Sequence, residues 1–113
     1  MASKVRATEL LLGDDVFGRL LDVAGTGASV FPFEGVLQLY APLPFDAAEA
    51  LHDLWEVCDQ GALSLLDQCE ERVASMGFGV RTPGGERIAL DAAMLQPGGL
   101  FFFRMVEDRR IAL

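Results

Sequence analysis

The sequence predicts an α+β domain in which an antiparallel sheet of about five strands packs against one long amphipathic helix, in the order α-β-β-α-β-β-β. Apolar residues recur at helical spacing over 46–76. Short apolar runs between Gly- and Pro-containing turns lie on both sides of that segment. The 113 residues, 51% of them hydrophobic and 23% charged, suffice for a single domain, 1–113, with its own core.

The first predicted element is a short helix over 16–24. Its apolar residues are spaced i, i+1, i+4, i+5 and i+8, Asp14 or Asp15 can cap its start, and Gly25 is a natural C-terminal stop. Residues 9–12 either extend this helix or form an edge strand, and the sequence does not decide between the two.

Two strands are predicted next, over 28–33 and 36–41, with a turn at Glu34–Gly35 between them. Pro32 favours an edge or bulge position for the first strand, because proline has no N–H to donate to a sheet. Pro42 ends the second strand.

The long helix is predicted over 46–76, with Asp46 at the cap position and Glu49 three residues later. A continuous helix of this length would be roughly 46 Å long, whereas a domain of this size is about 35 Å across. We therefore expect a bend or break at Gly61. The alternative is a continuous helix whose overhanging end is covered by a second chain. Its apolar arc, about 120° wide, comprises Ala47, Leu51, Leu54, Trp55, Cys58, Ala62, Leu65, Leu66, Cys69, Val73 and Met76.

The C-terminal third is rich in predicted strands. Strands over 77–81 and 87–90 form a hairpin around the turn Pro83-Gly84-Gly85. Residues 92–95 fit no single element. The run 100–106 is apolar on both faces apart from Arg104, which predicts a central strand.

The net charge of −8 arises in the stretch 46–71, which contains eight acids and no Lys or Arg, whereas the remainder holds nine acids and nine bases. Seven of those acids lie on the helical arc opposite the apolar one, together with Leu63. Many helices expose acids to water, but like charges one turn apart destabilise a helix by a few tenths of a kcal/mol each. The predicted partner-binding residues are Glu49, Asp53, Glu56, Asp59, Leu63, Asp67, Glu70 and Glu71.

The acidic balance also excludes several classes of partner. Phosphate contacts need Lys and Arg, so nucleic acid is not expected as a ligand, and neither is an anionic membrane surface. No apolar run approaches the length of a transmembrane helix, and the start of the chain lacks the pattern of a signal peptide. We therefore expect a cytoplasmic protein.

The sequence contains no convincing catalytic or metal-binding motif. His52 is the single histidine, and no Gly-x-Ser-x-Gly motif accompanies it. Glu49 and His52 match the Glu-x-x-His spacing of bundle metal sites, but such a site needs a second motif. Cys58 and Cys69 would be roughly 16 Å apart along a continuous helix, too far for a disulfide. They are predicted to be core residues, with a redox or metal role as the alternative. No catalytic residue, metal ligand or cofactor is therefore predicted.

Two stretches carry a resemblance to a known family. The strand Val36-Leu-Gln-Leu-Tyr-Ala-Pro-Leu-Pro-Phe45, running into the helix start Ala47-Ala-Glu-Ala-Leu-His-Asp-Leu-Trp55, resembles the strand-to-helix passage of class I type III secretion chaperones. The hairpin 82–90 is also similar to theirs. The resemblance implies a small, acidic, dimeric cytoplasmic protein that holds an extended partner, although residues 61–76 add helix where the family continues into strand. The element order also resembles roadblock-type dimerisation domains, and no site residue is carried over from either family.

The sequence thus favours a non-enzymatic chaperone, adaptor or inhibitor that engages a basic protein partner through the acidic helix face, as a homodimer. The alternative is an immunity-type or nucleic-acid-mimic inhibitor, in which the acids stand in for phosphates. A metal-dependent enzyme is the competing class.

Overall fold

The computed structural model describes residues 8–28 and 30–106. Within them, six antiparallel strands close into a barrel in the order β1-β2-β3-β6-β5-β4, and the helices lie between the third and fourth strands. The α+β class is confirmed, but the sheet has six strands rather than five and closes on itself. The elements are β1 Thr8–Leu12, β2 Asp15–Gly25, β3 Phe33–Leu39, α1 Phe45–Gln60, α2 Leu66–Ser75, β4 Phe78–Arg81, β5 Arg87–Leu95 and β6 Leu100–Met105.

The helix predicted over 16–24 is wrong, because this segment is the long strand β2. Its pairing with β1 is irregular opposite Leu10 and Leu11, and its pairing with β3 is irregular between Leu21 and Ala24. Asp22 has a φ of 57° inside the second irregularity. Bulges interrupt the two-residue alternation of a strand, so the apolar spacing imitated a helix. Residues 9–12 belong to β1, which pairs on both sides and is not an edge strand.

The two strands predicted over 28–33 and 36–41 are also corrected. Of the described residues of the first, only Phe33 lies in a strand, because β3 begins there and runs through the supposed turn at Glu34–Gly35. Gly35 lies within β3, where a side chain would be crowded. A Cβ there would come 3.2 Å from the backbone oxygen of Leu21 on the neighbouring strand. A glycine that appears to mark a turn thus marks a close approach of two strands.

The expected break at Gly61 is confirmed. Gly61 adopts a φ of 71°, the left-handed conformation typical of a helix C-terminus, and ends α1. A single 3-10 turn, Leu63–Leu65, then leads into α2, which folds back alongside α1. The predicted single long helix is therefore two shorter helices, and the apolar arc is not continuous: Leu65 is 46% exposed, while Ala50 and Val57, outside that arc, are buried.

Both helices pack on β5. This strand unites the predicted strand 87–90 with the undecided residues 92–95 and has a bulge between Leu90 and Ala92. Ala92 and Ala93 point to opposite faces of the strand, since successive side chains alternate, and both are completely buried. One face of β5 therefore belongs to the barrel interior and the other is covered by the helices.

The C-terminal strands otherwise follow the prediction. β4 pairs with β5 as the expected hairpin, and β6 lies between β3 and β5, as expected of a central strand. Among the described residues no helix has the length and apolar character needed to cross a membrane. The residues at the start of the chain, on which the signal-peptide expectation depends, lie outside the described range.

Candidate functional site

The break at Gly61 distributes the predicted partner-binding residues over a helical hairpin. Four lie on α1, Leu63 lies in the 3-10 turn, and three lie on α2. The acids therefore do not form one straight row. Those on α1 are Glu49, Asp53, Glu56 and Asp59, and those on α2 are Asp67, Glu70 and Glu71.

Arg72 neutralises the first turns of α1. Its guanidinium donates to the Glu49 carboxylate at 2.7 Å and to the Asp53 carboxylate at 2.9 Å. The hydrogen bond that Arg72 donates to Glu49 raises the pKa of the guanidinium, partly opposed by desolvation, and the bond to Asp53 adds to the rise. Arg72, which directly follows the stretch 46–71 without Lys or Arg, thus supplies a counterion for that stretch, because α2 packs alongside α1. Sequence inspection missed this bridge, which spans 23 positions and needs the helix to break.

Arg104 ties α2 to the barrel. From β6 it donates to Asp91 at 2.8 Å and to Glu70 at 3.3 Å, and it also donates to the backbone oxygen of Val30 at 3.3 Å. Burial by itself would lower the pKa of Arg104, but the bonds to Asp91 and Glu70 outweigh it and raise the pKa. Glu70, only 18% exposed, is therefore a bridging residue more than an accessible one.

His52 and Glu56 form a local pair on α1, with Nε2 of His52 3.3 Å from Oε2 of Glu56. Glu49, the other member of the Glu-x-x-His motif, is held by Arg72. In residues 8–28 and 30–106, no group of three or more His, Cys, Asp or Glu side chains is placed to hold a metal ion. His52 lines an open depression of about 340 Å³ next to the β5–β6 turn, and it is the one titratable side chain in that lining. This arrangement supplies no nucleophile and base together.

The turn between the helices carries two exposed leucines and two aspartates, and we call Asp59, Leu63, Leu65 and Asp67 the helical corner. Its leucines are the most exposed large apolar side chains of the helical segment after Phe45 at the start of α1. Leu63 is 68% exposed and Leu65 is 46% exposed. Asp59 at the end of α1 and Asp67 at the start of α2 flank them and are exposed. Neither aspartate forms an ion pair within the described part of the chain. Leu63, which the sequence analysis grouped with the acids, is thus an exposed apolar side chain with an exposed aspartate four residues before it and another four residues after it.

An open depression of about 300 Å³ adjoins this corner. Its carboxylate lining is Asp67, Glu70, Glu71 and Asp91, with Ala74 as the apolar member. Asp91 was not among the predicted residues, because it lies on a strand far along the chain and projects at the bulge of β5. Four carboxylates line this depression, and Arg104 pairs with two of them, Glu70 and Asp91.

Cys58 and Cys69 are both free thiols of intermediate burial. Burial raises the pKa of Cys58, and Glu70 and Cys69 raise it further; burial also raises the pKa of Cys69. The roughly 16 Å expected between them along one helix does not apply, because the helix is broken and the two thiols influence one another. Both are partly buried against the core, as core residues would be.

The sequence matches no protein-family model, and it has no significant match among curated proteins or among solved structures.

Proposed function

We propose that this protein is a non-enzymatic binding module that engages a basic protein partner through the helical corner. The observation that carries the proposal is Leu63, a leucine 68% exposed on a one-turn 3-10 helix with Asp59 and Asp67 on either side. Protein-binding surfaces commonly have an apolar centre and a polar rim, and Leu63 with the nearby Leu65 and the two aspartates has this composition.

The apolar residues of the corner account for affinity. Burying one leucine side chain completely contributes roughly 1.5–3 kcal/mol, so Leu63 and Leu65 together can anchor a modest interface. A few central residues commonly supply most of the binding energy in such interfaces. We therefore expect the corner to enter an apolar groove of the partner.

The carboxylates account for the choice of partner. Asp59, Asp67 and Glu71 are exposed acids near the corner, and charges at the rim of an interface raise the association rate and select partners of opposite sign. In the depression next to the corner, Asp67 and Glu71 offer carboxylates to a Lys or Arg side chain of that partner. Glu70 and Asp91 in the same lining contribute less, because Arg104 already pairs with both. Glu49 and Asp53 contribute less, because Arg72 already neutralises them.

The ion pairs disfavour the alternative function, a nucleic-acid mimic. Such a mimic needs a row of accessible negative charges, whereas Glu49, Asp53 and Glu70 are paired with arginines. The corner also presents two leucines, which have no counterpart in a phosphate backbone. An adaptor or chaperone that buries apolar surface therefore has more support. A cytoplasmic location accords with this proposal, since free thiols persist in reducing compartments.

Affinity capture with matched variants tests the proposal. The immobilised protein is incubated with lysate at about 50 mM and about 500 mM salt, and retained proteins are identified by mass spectrometry. We expect a basic protein that the wild type retains at low salt and Leu63→Ser does not. Leu39→Ser, which changes a leucine 42% exposed at the end of β3, is the control and should retain it. Equal retention by Leu63→Ser, or retention indifferent to salt, would contradict the proposal.

A further inference from the structure

An apolar row crosses the outer face of the barrel. Leu21 on β2 is paired with Val36 on β3, and Val36 is paired in turn with Leu100 on β6. Directly opposed residues on neighbouring strands share one face of the sheet, so the three side chains form a continuous row. We call it the barrel row.

The barrel row is accessible. Val36 is 40% exposed and Leu100 is 37% exposed, and Leu21 has intermediate exposure. The helices do not cover it, because both pack on β5. Three adjacent apolar side chains from three strands therefore face outward across the middle of the sheet.

Opposite charges lie on the two sides of the barrel row. Arg19 comes two residues before Leu21 on β2, and Glu34 comes two residues before Val36 on the antiparallel strand β3. Each is therefore displaced from the row by about 7 Å, in opposite directions along the strands. Arg19 donates to the Gln38 side chain at 2.8 Å. Neither Arg19 nor Glu34 forms an ion pair within the described residues.

We propose that the barrel row is the contact surface for a second copy of this chain. A two-fold axis running along the row turns the face onto itself and reverses the direction of the strands. That rotation places Arg19 of each copy beside the partner copy's counterpart of Glu34, one strand over, and stacks the two apolar rows. The surface is thus self-complementary in its apolar row and in its charges, as a two-fold interface requires.

Charge selects this surface over the others for self-association. Each chain carries a net charge of −8, and the stretch 46–71 that forms most of the helical hairpin holds eight acids. Two copies meeting through their helices would repel one another, whereas the charged side chains two residues from the barrel row on β2 and β3 are one positive and one negative, Arg19 and Glu34. Glu9, which lies opposite Arg19 on β1, is already paired with Arg81. Among the strands of residues 8–28 and 30–106, the closed barrel leaves no free edge for pairing, so association of these strands uses a face. This inference is independent of the proposed partner at the helical corner.

Sedimentation velocity across about 1 µM to about 300 µM protein tests the proposal. The wild type should shift from monomer to dimer as concentration rises. Val36→Asp should weaken the dimer about tenfold or more, because it buries two extra carboxylates in the row. Leu63→Asp introduces the same acid at the helical corner and should dimerise as the wild type does. A wild type that stays monomeric, or a Val36→Asp dimer of unchanged strength, overturns the proposal.

A charge exchange tests the two-fold arrangement itself. Arg19→Glu and Glu34→Arg should each weaken the dimer several-fold, since each places like charges opposite one another. The double variant restores opposite charges at both contacts and should recover most of the wild-type association. Thermal unfolding of each variant confirms that it folds. A double variant that associates no better than the single variants excludes this arrangement.

Discussion

The helical corner and the barrel row expose apolar side chains in contrasting electrostatic surroundings. Leu63 and Leu65 lie among carboxylates, whereas Val36 and Leu100 lie between one arginine and one glutamate. A surface rimmed by one sign of charge repels its own copy and selects an unlike partner. A surface with balanced charge can accept a copy of itself. The difference suggests how one small acidic chain could hold two interfaces without their competing.

The strand β2, which carries part of the barrel row, approaches β3 closely at Gly18, and a substitution there should have the largest effect. A Cβ at Gly18 would overlap the backbone oxygen of Gln38 on the neighbouring strand, so Gly18→Ala should lower the free energy of unfolding by about 3 kcal/mol. Gly79→Ala is the matched control, because its Cβ would meet only the end of the Arg87 side chain, at 2.9 Å. We expect its effect to be below about 1 kcal/mol. Urea unfolding measures both, and equal effects would contradict the close approach.

Arg104 joins α2, the helix that follows the corner, to the barrel. Arg104→Met removes the bonds to Glu70 and Asp91 and should destabilise the protein by about 1 kcal/mol, a value reduced for the partial exposure of these groups. Arg81→Met, which breaks the more exposed pair with Glu9, should cost about 0.5 kcal/mol. If thermal unfolding gives Arg104→Met no larger effect than Arg81→Met, α2 is not held to the barrel in this way.

Replacing Arg72 tests whether the acids of the helical hairpin attract the proposed basic partner. Arg72→Gln releases the Glu49 and Asp53 carboxylates and should increase capture of the basic partner at low salt about two- to fivefold. The increase should disappear at about 500 mM salt. Arg87→Gln, which alters an exposed arginine bonded to backbone oxygens of Gly13 and Gly77, makes the same change in net charge elsewhere. An equal increase with Arg87→Gln would show that net charge alone governs capture.

The smallest expected effect is the shift in the pH dependence of the two thiols, Cys58 and Cys69. Because burial raises the pKa values of Cys58 and Cys69, less thiolate is present at a given pH in the folded protein than in the unfolded chain. Alkylation by iodoacetamide, followed from about pH 7 to about pH 10, should therefore rise at higher pH for the native protein than in urea. For the same reason stability should fall as the pH rises above 9.0, the ordinary pKa of a cysteine thiol, because the unfolded thiols lose their protons first. Coincident profiles would contradict this.

The helical segment 46–76 was the most predictable part of the fold, whereas the helix predicted over 16–24 is a strand. The apolar periodicity of 46–76 located this segment, and the conflict between helix length and domain size located its break at Gly61. The strands were harder, because bulges around Leu21 and Ala24 removed the alternation that identifies a strand. Barrel closure depends on the pairing of β1 with β4, which are far apart in sequence, and no local pattern encodes it.

Most residues of the candidate site could be predicted from the sequence, but the ion pairs that they form could not. Sequence periodicity found the exposed acids and Leu63, whereas the bridges made by Arg72 and Arg104 depend on tertiary packing. Asp91 joins the acidic depression only because α2 packs on β5. The barrel row was equally hidden, because Leu21 was assigned to a helix and the register of three strands brings its members together.

Hydroxyl-radical footprinting over a dilution series tests most directly the claim that the two surfaces have different occupants. Side-chain oxidation reports solvent access at each residue in the purified protein alone. As the concentration rises, we predict protection of Leu21, Val36 and Leu100, with oxidation of Leu63 and Leu65 unchanged. Protection of the leucines at the helical corner, with the barrel row still exposed, would contradict the account.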